Sequence, residues 1–130
     1  ALARRSPGVA AIGDLQPALE VWAAVQSRPE AAKAIISMGK RDISYDDPPI
    51  ALKWLRPGLH TSPQPAPAGL VVEKLNDQHC HLRLPEDSPL QVGDLVGFGI
   101  SHPCLTFDKW RVLHLVDEAY QVTGSIRTYF

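Results

Sequence analysis

A histidine and a cysteine two positions apart, His102 and Cys104, are the residues whose types and spacing are best suited to chemistry. If the chain is extended here, both side chains point to one side, with their Cα atoms about 6.6 Å apart. Imidazole nitrogen and thiolate sulfur are both ligands of zinc, and Pro103 stiffens the backbone between them. A closed zinc site needs four protein ligands. The pair therefore predicts an open site, with water or substrate in the remaining positions.

Two other interpretations of this pair stay open. In the first, Cys104 is a small buried hydrophobic residue and His102 caps the end of a strand. In the second, the metal is structural, so that removing it unfolds the domain. The side chains that could complete a closed site have no fixed spacing from the pair; they are His79, His81, His114 and Asp108.

Two further polar runs are candidates for function. His79 and His81 lie on one face of a predicted strand while Cys80 lies on the other, which fits a binding site or polar residues facing water. The run Gly39–Asp42 carries two cations that could bind an anion. Such a run is more typical of a solvated turn with an internal Lys–Asp or Arg–Asp ion pair. The sequence carries no glycine-rich phosphate loop and no nucleophile elbow.

The elements that must position these residues are short strands. Twelve prolines in 130 residues are scattered along the chain, which favours many short elements joined by turns. The alanines of residues 19–28 suit a helix, but the same residues also alternate as a strand. With the turn signal at Pro29, a β-hairpin is the favoured prediction. Arg56–Gly69, which includes the proline-rich stretch Pro57–Pro67, is predicted to be a loop or an extended segment. Later strands are predicted at Leu70–Leu75, His79–Leu84, Asp94–Ile100, Arg111–Val116 and Tyr120–Tyr129.

Together these patterns predict an all-β domain, an antiparallel barrel or sandwich, over residues 18–130. Residues 1–17 form an irregular lead-in, and the chain begins at Ala1 without an initiator methionine. We therefore expect a piece of a longer protein.

Composition excludes several classes of function. Thirteen basic against fourteen acidic residues give a net charge of −1, so no electrostatic footprint for nucleic acid is present. No apolar run approaches the roughly 20 residues that a membrane-spanning helix needs. Two cysteines cannot build a disulfide scaffold, and no signal peptide is recognisable, so a cytoplasmic location is expected.

Three segments taken in order are similar to a known family. GKRDISYD, LNDQHCHL and LQVGDLVGFGISHPCLTFDKW resemble the C-terminal domain of the D-serine dehydratase-like and D-threonine aldolase family. The resemblance runs from about Leu15 to Phe130 and is most specific from Gly93 to Trp110. In that family an alanine racemase-like (β/α)8 barrel carries pyridoxal 5'-phosphate, and a β-rich second domain closes over it. The resemblance thus implies that the barrel belongs to a part of the protein outside this chain.

The resemblance also implies a role for the candidate pair. Family members hold a divalent metal beside the cofactor with a His-x-Cys or His-x-Asp pair, which corresponds here to His102 and Cys104. The cysteine variant implies zinc and dehydratase chemistry, whereas the aspartate variant prefers a harder ion. His79 corresponds to a family histidine near the site, although Asp77 and Gln78 replace the two acids that precede it. The cofactor lysine is not in this chain.

The function implied is a lyase that converts D-3-hydroxy amino acids such as D-serine and D-threonine to a 2-keto acid and ammonia. The expected partners are the D-amino acid, the barrel domain and a second copy in a homodimer, with no nucleic acid and no membrane. Aldol cleavage of the D-threonine aldolase type is the alternative within the family. A non-catalytic β-barrel binding module, docking through Pro57–Pro67, is the alternative outside it.

Overall fold

The computed structural model describes residues 17–130, so the predicted lead-in lies outside the described residues except for Pro17. This part of the chain is built almost entirely from β-strands, with one four-residue helix near its C-terminal third. In chain order the elements are β1 (Glu20–Glu30), β2 (Lys33–Ile36), β3 (Ile50–Leu55), β4 (Gln64–Pro65), β5 (Val71–Leu75), β6 (Cys80–Arg83), β7 (Leu95–Gly99), α1 (Cys104–Phe107), β8 (Val112–Val116) and β9 (Val122–Arg127).

Seven strands form one antiparallel sheet in the order β4-β3-β7-β1-β2-β6-β5. Strand β3, near one end of this order, contacts β5 at the other end, so the sheet curls into a half-barrel. Strands β8 and β9 form a separate antiparallel hairpin. The all-β prediction is confirmed, and the five strands predicted from residue 70 onward are found with their ends shifted by at most two residues.

Strand β1 shows why the alternating pattern was informative. Val21, Ala23 and Val25 are buried on its inner face, while the residues between them are only half-buried. On the other face Trp22 lies opposite Gly97 of β7. A Cβ atom at position 97 would lie 2.6 Å from the indole ring, so glycine at this position makes room for the aromatic side chain.

The predicted hairpin is present as β1 and β2, but its turn lies at residues 31–32 rather than at Pro29. Proline has no N–H to donate to a ladder and is tolerated at irregular positions. The register of the two strands shifts between Ser27 and Glu30, and Pro29 lies within this irregular stretch.

One hydrophobic core fills the inner side of the half-barrel. Met38 and Ile43 belong to it and are fully buried, so they anchor both ends of the 39–42 turn. The largest other side chains that are fully buried here are Phe98, Ile36, Leu82, Leu90, Val25 and Val96.

The sequence did not predict β3, whose six residues are all half-buried and therefore show no alternation. The proline-rich segment that follows is partly ordered by the sheet. Gln64 and Pro65 pair with Lys53 and Trp54, and the Ala66 N–H donates to the Leu52 carbonyl at 3.0 Å. The predicted loop over 56–69 therefore includes a short edge strand.

The tip of the β8–β9 hairpin is joined to the main sheet through Tyr120. Its hydroxyl donates to Glu20 Oε1 at 2.7 Å and accepts from Lys53 Nζ at 2.5 Å. Its ring meets Trp22 edge-on, with the centroids 5.7 Å apart. Within residues 17–130, no helix has the length and apolar character needed to cross a membrane.

A candidate metal centre

His102 and Cys104 follow the C-terminal end of β7, where the chain enters the short helix α1. Pro103 has φ −56° and ψ −42°, and its carbonyl accepts the N–H groups of Thr106 and Phe107 at 3.0 and 2.8 Å. The extended backbone expected between the two candidate ligands is therefore wrong. Proline has the fixed φ of a helix start and lacks the N–H that a first turn leaves unpaired, so it favours helix initiation here.

The two cysteines have opposite environments. Cys104, at the first position of α1, is exposed, whereas Cys80 on β6 is completely buried. Burial raises the pKa of the Cys80 thiol to about 12, so this thiol stays protonated and unreactive. The interpretation of Cys104 as a buried hydrophobic residue is wrong, and its sulfur is accessible to a ligand.

The His102 ring is held by the carboxylate of Asp46, the last residue of the GKRDISYD segment, to which the sequence analysis assigned no role. Nδ1 of His102 lies 3.2 Å from Oδ2 of Asp46. The other carboxylate oxygen, Oδ1, accepts a hydrogen bond from Ser101 Oγ at 2.9 Å. The Ser101 hydrogen bond is the largest influence and, with those from His102 and the backbone, keeps the pKa of Asp46 below its ordinary value despite some desolvation. Asp46 is therefore an ionised acceptor at neutral pH.

Beneath this pair lies a network of buried hydroxyl groups from Ser44, Ser101 and Thr106. The Ser44 N–H donates to Thr106 Oγ1 at 3.1 Å, and the hydroxyls of Ser44 and Ser101 lie 3.2 Å apart. The His102 N–H donates to Ser44 Oγ at 3.2 Å. Because satisfied buried polar groups rigidify their surroundings, the network fixes the backbone that carries His102.

The sheet topology brings these distant residues together. Ile50 at the start of β3 pairs with Gly99 at the end of β7, and the two strands are antiparallel. Residues that precede Ile50 therefore lie beside residues that follow Gly99. This places the 44–47 segment against Ser101 and His102.

The 39–42 turn forms an adjoining part of the site. Gly39 N–H donates to the Asp42 carboxylate at 2.9 Å, so the predicted Lys–Asp or Arg–Asp ion pair is replaced by a contact with the backbone. The Asp42 carbonyl accepts from the Trp110 indole at 2.7 Å. Beyond the turn, the ammonium groups of Lys40 and Lys109 each lie 5.5 Å from the ring centroid of Tyr45.

His79 lies near this turn, in the connection between β5 and β6. The 39–42 turn donates two backbone hydrogen bonds to that connection, from Lys40 N–H to the Asn76 carbonyl at 2.8 Å and from Arg41 N–H to the Asp77 carbonyl at 3.0 Å. As predicted, Cys80 points inward, and the flanking His79 and His81 are half-buried. Desolvation, followed by the charges of Lys33 and Lys74, lowers the pKa of His81.

The donor set suits part of a zinc site. His102 has an imidazole nitrogen that does not face Asp46, and Cys104 has an exposed sulfur. Within the described part of the chain, no three His, Cys, Asp or Glu side chains come close enough to hold a metal together. A metal at this pair would thus take its remaining ligands from outside the described residues, including the water or substrate that an open site holds.

Lys53 and Lys109 do not suit a pyridoxal phosphate anchor. Such a lysine needs a lowered pKa to act as an amine nucleophile. The best-enclosed cluster contains Lys53, whose pKa is raised, chiefly by its hydrogen bond with Tyr120. Lys109 is paired with Asp108 at 3.3 Å.

Behind the site lies an apolar cavity of about 380 Å³ between β1 and the β8–β9 hairpin. Thr106 and Trp110 line its near end, and His114 lines it from β8. His114 therefore faces this cavity, and the structure does not group it with the candidate ligands.

Comparison with known proteins gives the family. The family described as "Putative serine dehydratase domain" matches residues 18–116, about three quarters of the chain, from the start of β1 to the end of β8. A search of curated proteins gives no match. The match includes the GKRDISYD segment, His79 and the His102–Cys104 pair. The chain therefore belongs to the D-serine dehydratase-like domain family.

Proposed function

We propose that this chain is the metal-binding C-terminal domain of a pyridoxal-phosphate-dependent lyase that dehydrates D-3-hydroxy amino acids. The substrate, D-serine or D-threonine, loses its β-hydroxyl group and its α-proton as water. Addition of one water then releases ammonia and leaves a 2-keto acid. The domain family supports this proposal at the level of the domain, and the residues around His102 support the assignment of a metal.

The observation that carries the proposal is the contact with Asp46, which leaves one nitrogen of the His102 ring free. Asp46 occupies Nδ1 of His102, so the lone pair of Nε2 is available, and the Cys104 sulfur is exposed one residue beyond Pro103. A nitrogen and a soft sulfur suit zinc better than a hard ion. A zinc ion bound there would act as a Lewis acid on the β-hydroxyl oxygen, which is otherwise a poor leaving group.

The chain's own residues have three tasks in this proposal. His102 and Cys104 bind the metal. The buried hydroxyls of Ser44 and Ser101 hold the segment that carries His102. The ammonium groups of Lys40 and Lys109 both lie near the Tyr45 ring, and their positive charge suits a substrate carboxylate.

We propose that pyridoxal phosphate is held by a barrel domain outside this chain, as the family resemblance implies. The cofactor supplies the electron sink that stabilises the carbanion left at the α-carbon. The isolated chain is then expected to form no keto acid when it is given pyridoxal phosphate and D-serine. Keto acid formation by the isolated chain would overturn the assignment of the cofactor to the barrel domain.

Aldol cleavage is the second candidate, because a metal at the same place would polarise the same hydroxyl. D-Threonine separates the two reactions, since dehydration gives 2-oxobutanoate and ammonia whereas cleavage gives glycine and acetaldehyde. The Cys104 thiolate favours zinc and dehydration.

The test uses the full-length protein with pyridoxal phosphate and D-threonine, before and after chelation and after adding zinc back. We expect 2-oxobutanoate that disappears with chelator and returns with zinc. His102→Ala and Cys104→Ser are expected to lose most of this activity. His81→Ala is the matched control, since His81 is a half-buried histidine on β6 whose ring contacts Asn76. Glycine and acetaldehyde as products would show that the reaction is aldol cleavage and not dehydration. Full activity of His102→Ala would overturn the metal assignment.

A further inference from the structure

We propose that Asp46 is the positioning residue of the candidate metal centre and fixes the His102 ring with Nε2 free to bind the metal. This inference rests on the proposed function, because it names a residue that serves the same site. Asp46 lies 56 positions before His102 in the chain, and no motif of the sequence joined the two.

The contact has the geometry of an oriented hydrogen bond. Oδ2 of Asp46 lies 3.2 Å from Nδ1 of His102, and the two side chains are 39% and 42% exposed. An ionised carboxylate is an acceptor only, so the hydrogen must be carried by Nδ1. The neutral ring then has its lone pair on Nε2, the tautomer that a metal requires.

Asp46 is itself held from the other side. Its second oxygen, Oδ1, accepts from Ser101 Oγ at 2.9 Å, and Ser101 Oγ also lies 3.4 Å from the Asp47 carbonyl. Ser101 is 6% exposed and contacts the fully buried Ser44. The carboxylate is thus tied into the hydroxyl network on which the His102 backbone also depends, so both partners of the contact share one rigid support.

Carboxylate partners of this kind have a known effect on metal sites. A ligating histidine usually donates its other ring N–H to a carboxylate or carbonyl, and loss of that partner typically weakens metal binding 10- to 100-fold. We expect a loss of that size at this site. Asn at position 46 would have one acceptor oxygen, so its amide group would face either Ser101 or His102 as a donor.

The first experiment reads the tautomer and needs no metal. Long-range ¹H–¹⁵N spectra of the 130-residue chain, recorded at a mildly alkaline pH where histidine is neutral, distinguish Nδ1–H from Nε2–H rings. We expect the His102 ring, assigned by comparison with His102→Ala, to be Nδ1–H in the wild type. In Asp46→Asn we expect a shift toward Nε2–H. A wild-type His102 ring that carries its hydrogen on Nε2 would overturn the inference.

The second experiment measures the zinc affinity of the full-length protein and the same variants by competition with a chromophoric chelator, because the remaining metal ligands lie outside the described residues. Asp46→Asn is expected to bind zinc 10- to 100-fold more weakly than the wild type, while Asp46→Glu, which keeps the carboxylate, retains more of the affinity. Asp87→Asn is the control, because it makes the same change in an exposed turn after β6. Thermal unfolding of each variant checks that the fold is retained.

The outcomes separate the inference from the function on which it rests. Equal zinc affinity of the wild type and Asp46→Asn overturns the positioning role of Asp46 and leaves the metal assignment intact. A wild-type full-length protein that binds no zinc overturns the metal assignment itself. A weakened Asp46→Asn with an unchanged Asp87→Asn supports both.

Discussion

Arg56 holds the buried carboxylate of Asp94 through two hydrogen bonds, from Nε to Oδ1 at 2.9 Å and from Nη2 to Oδ2 at 3.0 Å. The Asp94 side chain is only 3% exposed, and that of Arg56 is 21% exposed. The Trp54 indole and the Gln91 N–H each donate to the same carboxylate at 2.9 Å. Asp94 therefore ties the end of β3 to the turn that leads into β7, at the opposite end of these two strands from the candidate site.

We expect Asp94→Ala to lower the free energy of unfolding by about 3 kcal/mol, because it leaves a partly buried guanidinium without its carboxylate. Urea denaturation of the 130-residue chain measures this change. Asp87→Ala, in an exposed turn, is expected to change the same quantity by less than about 0.5 kcal/mol. Similar stabilities for the two variants would show that the Arg56 contact contributes little.

The same carboxylate predicts the response of stability to acid. Burial alone would raise the pKa of Asp94, but hydrogen bonds from Arg56, the Gln91 N–H and Trp54 outweigh it, so the pKa falls below its ordinary 3.8. A lowered pKa means that the unfolded state binds the proton first, so the contribution is complete above about pH 4 and is lost as the pH falls further. Denaturation measured over this range should give a steeper loss for the wild type than for Asp94→Asn. Equal slopes would contradict the assignment.

Gly39→Ala tests whether the 39–42 turn packs as tightly as the structure shows. A Cβ atom at position 39 would lie 2.4 Å from the backbone oxygens of Asn76 and Asp77, which cannot move aside as a flexible side chain can. We expect the variant to lose about 2 kcal/mol of unfolding free energy. Gly124→Ala is the control, because its Cβ would meet only Leu115 Cδ1 at 3.7 Å. Equal melting temperatures for the two variants would show that the 39–42 turn can move away from the connection between β5 and β6 at little cost.

The two cysteines should differ sharply in reactivity. A thiol reagent is expected to label Cys104 in the folded protein and to label Cys80 only after denaturation, because Cys80 is buried with a pKa of about 12. Mass spectrometry of the labelled peptides identifies the site. Zinc should slow the labelling of Cys104 in the wild type and have less effect in His102→Ala. Labelling that is unaffected by zinc would count against Cys104 as a ligand.

Tyr120→Phe should loosen the β8–β9 hairpin more than the main sheet. The change keeps the ring against Trp22 but removes the hydroxyl that joins Glu20 and Lys53. We expect a loss of about 1–2 kcal/mol. Hydrogen exchange measured by peptide should rise over residues 112–127 and stay unchanged over β1. A uniform increase would show that the hairpin and the sheet open as one unit.

Local pattern was sufficient for the strands that alternate between a buried and an exposed face. β1, β2 and β6 show this alternation. β7 is instead a continuous buried run, and β8 and β9 are mostly exposed. β3 lacks the period because every one of its residues is half-buried. α1 has only four residues, which is too short for a helical repeat to be visible.

The candidate site was predicted only in part. Residue type indicates which side chains are candidate ligands, whereas only the sheet topology shows which residues support them. His102 and Cys104 were identified by their chemistry and by the family resemblance. Asp46 and Ser44 lie 56 and 58 positions before His102, and only the pairing of β3 with β7 brings them to it. Both lie in the GKRDISYD segment that carries the family resemblance, but the resemblance assigns neither of them a role at the site.

The order of the strands along the chain also sets when the site can exist. His102 and Cys104 come after all seven strands of the main sheet, while Asp46 is made before β3. During synthesis the carboxylate therefore emerges from the ribosome first, without a histidine to orient, and the two ligands emerge only when the sheet that supports them can close. Any metal bound by this pair would therefore be loaded late, because a chain that ends before β7 lacks both candidate ligands.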